Sequence, residues 1–228
     1  MPDKKLNEEQ KTLVREMVLW LARKYYRWLR DGGSSLNDLI SQTFTPVTEE
    51  ELAALFSKAD VDVSRINKFM FLAPLGADSS VLPVASISCN FRRNVPEVRV
   101  QLALFTAGAE KPRAIGLRFE TPESQGAHNF YHCQFIKGFR TDGGGVALPD
   151  DGWLPTKDPT LLLGAKNSVA LIVCLIASLY GRTEVDSLVF EPFGNQLKRY
   201  MRLVPWVESE ASGTLHQADE YGRWHCRV

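Results

Sequence analysis

Residues 97–105, EVRVQLALF, and 113–121, RAIGLRFET, alternate apolar and polar side chains with a two-residue period. In an extended chain this period sends Val98, Val100, Leu102 and Leu104 to one side and Arg99 and Gln101 to the other. The stretches 84–93 and 128–136 repeat the pattern. Asn94-Val95-Pro96, the Ala-Gly-Ala-Glu-Lys-Pro run and the Pro-Glu-Ser-Gln-Gly run lie between the four, all turn compositions. Such short connections imply antiparallel neighbours, since a parallel crossover needs about a dozen residues. The apolar stretch 69–72 adds an edge strand.

Outward from this sheet the period changes. Asn7 with Gln10 reads as a variant capping box opening a helix over 8–30, which Gly32-Gly33 stops. Ser35 with Asp38 opens a second helix, and Thr48-x-x-Glu51 caps a third. Residues 138–157 read as irregular, with Gly143-Gly144-Gly145 and Asp150-Asp151-Gly152 within them. Asp158-Pro159 then reads as the start of a helix ending at Gly181, with Asn167-Ser168 as the alternative start. Its window 169–180 is apolar but for Ser178 and too short to span a bilayer, so it is expected as a buried helix against the sheet. Residues 184–190 read as a strand and 193–203 as a helix. The expectation is an α+β fold: an antiparallel meander backed by a buried apolar helix, with an N-terminal helical segment over 1–58 and a sheet domain over 59–228 forming one unit.

The chain has 228 residues, of which 44% are hydrophobic and 24% charged, which excludes a disordered chain, a collagen repeat and a disulfide miniprotein. Lys plus Arg and Asp plus Glu both number 27, so binding to nucleic acid through bulk charge is also excluded. The first ten residues have no apolar core and no small-residue cleavage site, so a secretory signal is not expected. Cys89, Cys133, Cys174 and Cys226 form no C-x-x-C pair. These features point to a cytoplasmic protein without a membrane partner.

The polar side of the sheet carries the candidate chemistry. Ser86, Ser88, Asn90 and Arg92, then Arg99 and Gln101, then Arg118 and Glu120, then His128, Phe130, His132 and Gln134 share it. A hairpin after Glu120 brings His128 and His132 near that carboxylate. Glu120, His128 and His132 are therefore the candidate catalytic or metal-ligating set of a hydrolase, with Arg118 stabilising an anion. An exposed sheet face is polar in any case, and cross-strand Arg–Glu and His–Glu pairs are ordinary packing. No phosphate loop, dinucleotide fingerprint, nucleophile elbow or C-x-x-C pair occurs, and no metal or cofactor is implied.

The first helix carries a second surface. Val14, Met17, Val18, Leu21, Tyr25, Trp28 and Leu29 share a broad apolar face. Arg15, Arg23, Arg27 and Arg30 lie opposite, with Leu19 and Tyr26 among them. Arginine interleaved with aromatic and aliphatic side chains is the composition of a contact surface. Arg15, Leu19, Arg23, Tyr26, Arg27 and Arg30 are thus candidate partner-binding residues. The alternative is that an acidic run of the same chain, Glu49-Glu50-Glu51 or Asp150-Asp151, covers them. Lys198, Arg199 and Arg202 form a smaller basic cluster, and a nucleic-acid-binding module that joins it with the arginine face of the first helix in one anionic contact is a further alternative.

Four short runs carry a resemblance: Arg118-Phe119-Glu120, His128-x-Phe130-Tyr131-His132-x-Gln134, Trp153-x-Pro155 and Ser178-Leu179-Tyr180-Gly181. Their order resembles uncharacterised bacterial proteins of phage-defence or mobile-element gene clusters. The resemblance implies a subunit that works with neighbouring gene products and assigns no site. With the absence of catalytic signatures, the expected function is a non-catalytic accessory subunit that contacts another protein through its first helix.

Overall fold

The computed structural model describes residues 4–201, apart from 33–34, 76–78, 93–95, 108–111, 123–130, 142–143, 150–159, 164 and 166. Helices α1 (Lys4–Arg30), α2 (Ser35–Ser41) and α3 (Glu49–Phe56) come first. Strands β1 (Asp60–Asp62), β2 (Met70–Phe71), β3 (Val81–Asn90), β4 (Glu97–Thr106), β5 (Arg113–Glu120), β6 (His132–Ile136), β7 (Gly138–Thr141), β8 (Gly144–Ala147) and β9 (Thr160–Leu162) follow. Helices α4 (Ser168–Tyr180), α5 (Arg182–Ser187) and α6 (Gly194–Met201) close the described chain, with a short 3₁₀ turn at Leu188–Phe190.

The α+β architecture is as expected from sequence. The sheet runs β1-β3-β4-β5-β6-β9, with β2 also on β3, and every pairing is antiparallel. Its apolar side, carrying Ile87, Val100, Leu102, Phe119 and Cys133, packs in one core with Leu13, Val14, Met17, Val18 and Leu21 of α1 and with Val169–Val173 of α4. Both the helical segment and the sheet domain contribute to this core, so neither buries its apolar surface alone.

The opposite side of the sheet is divided. Toward one end, Leu82, Val84, Ala103, Phe105 and Ala114 form a second core with Phe44, Phe69, Phe71 and Phe139. Phe139 comes from the β7–β8 hairpin, which folds over this end of the sheet. Toward the other end, side chains of the same parity are polar. The division places a cleft between the hairpin and the polar rows.

Several sequence expectations are corrected. Helix α1 begins at Lys4, so Asn7 lies inside it, buried, rather than capping it. Residues expected as irregular contain the β7–β8 hairpin; glycines mask its alternation, and Phe139 and Val146 pair across it. The buried helix starts at the alternative site: the Asn167 side chain accepts from Ala170 N at 2.8 Å, and β9 occupies part of the preceding stretch. Residues 184–190 are helical, not extended. Val185 and Leu188 are both buried at helical spacing, and Arg182 pairs with Asp186 at 3.1 Å one turn on. The Thr48/Glu51 capping box forms as expected, with both bonds present at 3.0 and 3.2 Å. Among the described residues, no helix is long and apolar enough to cross a membrane.

Candidate functional site: the cationic cleft on the sheet

Antiparallel register aligns the polar side chains in two rows across the strands. Ser88, Arg99, Glu120 and His132 form one, and Ser86, Gln101, Arg118 and Gln134 the other. Glu120 is the hub of the first row. Arg99 donates to Oε1, while Arg118 Nε and His132 Nε2 approach Oε2 at 2.9 and 3.2 Å. Arg118 forms an ion pair with Oε2 rather than an aligned hydrogen bond, and His132 Nε2 lies beside the same oxygen without one. The Glu120 side chain is 4% exposed and that of His132 0%.

Burial pushes the Glu120 carboxyl upward, but contact with His132 and the charges of Arg99 and Arg118 outweigh it and hold it at about 2. A carboxylate held that low is neither a proton donor near neutral pH nor a competent base. Glu120 instead fixes two arginines. Of the candidate catalytic set, the structure thus joins Glu120 with His132, while His128 lies outside the described residues. The residue opposite Glu120 in the ladder is His132. Among the described residues, no three His, Cys, Asp or Glu side chains converge to hold a metal ion. Cys133, on the buried side, is no nucleophile, since burial pushes its thiol up to about 12.

The second row floors a cleft of about 260 Å³ lined by Gln101, Arg118, Gln134, Ile136, Lys137, Gly138 and Arg140. Three of these side chains are cationic and none is acidic. Arg118 is 12% exposed and held on two sides. Besides Glu120 it meets Gln134, whose amide oxygen, in the orientation that satisfies both groups, accepts from Arg118 Nε at 3.1 Å. Gln101 fixes the opposite wall. Its amide mimics a strand neighbour, donating to the Arg140 carbonyl at 3.0 Å and accepting from Arg140 N at 2.7 Å. That clamp fastens β7 to the sheet and positions the exposed Arg140 and Lys137 side chains at the rim.

Lys137 and Arg140 escaped the sequence reading because their segment read as irregular. The available signal was Asp142-Gly143, a hairpin-turn dipeptide between Phe139 and Val146.

The first helix uses much of its arginine face internally. Arg15 lies 4.2 Å from the centre of the Phe91 ring, Leu19 packs on the main core, and the Tyr26 hydroxyl donates to the Val47 carbonyl. Arg23 pairs with Glu49 at 3.5 Å, so the acidic run does cover part of the patch. Arg27 and Arg30 remain exposed in the last turn of α1, as does Leu29. The other basic cluster is elsewhere. Arg199 pairs with Glu9 at 3.2 Å, about 21 Å along the helix from Arg23 at 1.5 Å per residue. Lys198 is exposed and bonds Asn195, and Arg202 lies outside the described residues. Arg199 is thus set apart from Arg23, Arg27 and Arg30 along α1.

Comparison with protein-family models, with curated proteins and with solved structures finds no match to this chain in any of the three.

Proposed function

We propose that this protein is a non-catalytic accessory subunit that recognises an anionic group in the sheet cleft. One observation carries the reading: Arg118, Lys137 and Arg140 converge on a cleft whose described lining contains no carboxylate, while Glu120 is spent on orienting Arg118 and Arg99. Cations fixed by their own chain lose less freedom on binding than mobile surface lysines do. The same commitment of Glu120 weighs against the hydrolase reading.

The test is titration with inorganic phosphate, sulfate and an oligo-glutamate peptide, comparing wild type with the Lys137→Glu, Arg140→Glu double variant. Both side chains are exposed, so the variant is expected to keep its fold, with a melting shift under about 2 °C. Affinity for whichever anion binds is expected to fall at least about tenfold, or 1.4 kcal/mol. Unchanged affinity in the double variant would remove the proposal.

A second surface serves assembly. Arg27 and Arg30 are exposed cations in the last turn of α1, with Leu29 exposed in the same turn, which supports contact with a protein partner there. Arg27→Glu with Arg30→Glu is expected to abolish co-purification of a stoichiometric partner from native cells while leaving anion binding in the cleft intact. Retention of the partner would sink this assignment. Steeply salt-dependent binding of DNA or RNA lost in the same variant would reassign the patch to nucleic acid.

A further inference from the structure

We propose that the cleft takes a phosphate monoester in its dianionic form, clasped by Arg118 on the floor and by Lys137 and Arg140 at the rim. The inference rests on the anion-binding reading and names the ligand's chemistry. Among the described residues, four cations, Arg99, Arg118, Lys137 and Arg140, stand on the cleft and the adjoining row against one carboxylate, Glu120. The excess matches a doubly charged group better than a carboxylate or a sulfate ester. A terminal phosphate also offers three acceptor oxygens to three separate cations, and arginine pairs with it in a fork geometry.

The cleft's shape sets the size of the group. About 260 Å³ accommodates a phosphate and the first atoms of its ester, not a length of polymer. Among the described residues no aromatic side chain lines it, and Phe139, the ring of the adjoining hairpin, is fully buried in the second core. A single-stranded nucleic acid would want rings on which successive bases stack, and the described lining offers none. The site is also built rather than incidental: Arg118 is nine-tenths buried or nearly so, and the Gln101 clamp fixes the backbone that carries Arg140.

The ligand's own titration supplies the test. A phosphate monoester gains its second charge near about pH 6, whereas a sulfate ester keeps one charge throughout. The charged groups that line the cleft are Arg118, Lys137 and Arg140, and Glu120, which pairs with Arg118, is held well below the usual carboxylate range. His132 touches Glu120 at 3.2 Å and Arg99 pairs with it, neither lining the cleft, and phenyl sulfate over the same pH range is the control for any change in the protein itself. Phenyl phosphate is therefore expected to bind about tenfold more tightly at about pH 7.5 than at about pH 5, with phenyl sulfate weak and flat over that range. The Lys137→Gln, Arg140→Gln double variant is expected to lose that gain. Equal, pH-independent binding of both esters would overturn the dianion inference while leaving anion recognition standing; binding of neither would overturn both. A phosphoserine peptide and glucose 6-phosphate, run in parallel, separate a modified partner protein from a free metabolite as the source of the group.

Discussion

Glu120→Gln is expected to cost about 3 kcal/mol of stability near neutral pH, because it leaves the nearly buried Arg118 without its anion. The same change removes a specific part of the protein's acid sensitivity. Glu120 is lowered from 4.5 to about 2 in the folded chain, so its contribution is fully present above the unfolded value of 4.5. That contribution is lost as pH falls through the window from 4.5 toward 2, as the folded carboxyl takes up its proton. The shift corresponds to up to about 3 kcal/mol, reduced by solvent screening around the half-exposed Arg99. Chemical denaturation of wild type and variant along a descending pH series measures it. The stability gap between them is expected to narrow as pH falls below 4.5 and to close as it nears about 2. A gap that stays constant down to acid would mean that Glu120 contributes packing only.

Gly116→Ala is the second large effect. Gly116 sits mid-strand between Ala103 and Ile136, beneath the β7–β8 hairpin. A Cβ there would collide with the Ile136 carbonyl oxygen and come within 2.6 Å of Leu148 Cδ1 and 2.8 Å of Ile136 Cγ1. The first of these is backbone and cannot rotate away, so β6 or the hairpin must shift. The cost is expected at about 3 kcal/mol, the upper end of ordinary overpacking. Since Ile136, Lys137 and Gly138 line the cleft, anion affinity should fall with it. Gly145→Ala is the control, its nearest neighbour being the Phe139 carbonyl at an ordinary 3.6 Å, and should change stability by less than about 0.5 kcal/mol. Similar losses in the two variants would show that the hairpin tolerates no side chain anywhere, and that Gly116 is not special.

The meander was readable because alternation over β3, β4, β5 and β6 is nearly unbroken, and its connections are short. The same alternation placed Arg118, Glu120, His132 and Gln134 on one face. What it could not give was their electrostatics. Glu120 looked like a catalytic acid until Arg99, 21 positions away, proved to be bonded to it. The hairpin was hidden for another reason: Phe139, with Val146 packed beside it, anchors it to the second core, and two such side chains among glycines make no period.

The arginine face of α1 shows the limit from the other side. Its residue types were plain in the sequence, but Phe91, Val47 and Glu49, which take up Arg15, Tyr26 and Arg23, are distant along the chain. At 184–190 the short run of branched side chains fits either period, and the helix prevails because Val185 and Leu188 then share one buried side. Gly181, at φ 76°, allows the chain to turn between α4 and α5 so that both pack on the same core.

Backbone amide NMR of the full chain, titrated with phenyl phosphate near neutral pH, reads the location of binding residue by residue. Saturable shifts clustered on Arg118, Gln134 and the run from Lys137 to Thr141, with α1 unmoved, are the predicted outcome. Shifts concentrated on α1 between Arg23 and Arg30, or none at all, would contradict the assignment of the sheet cleft as the recognition surface.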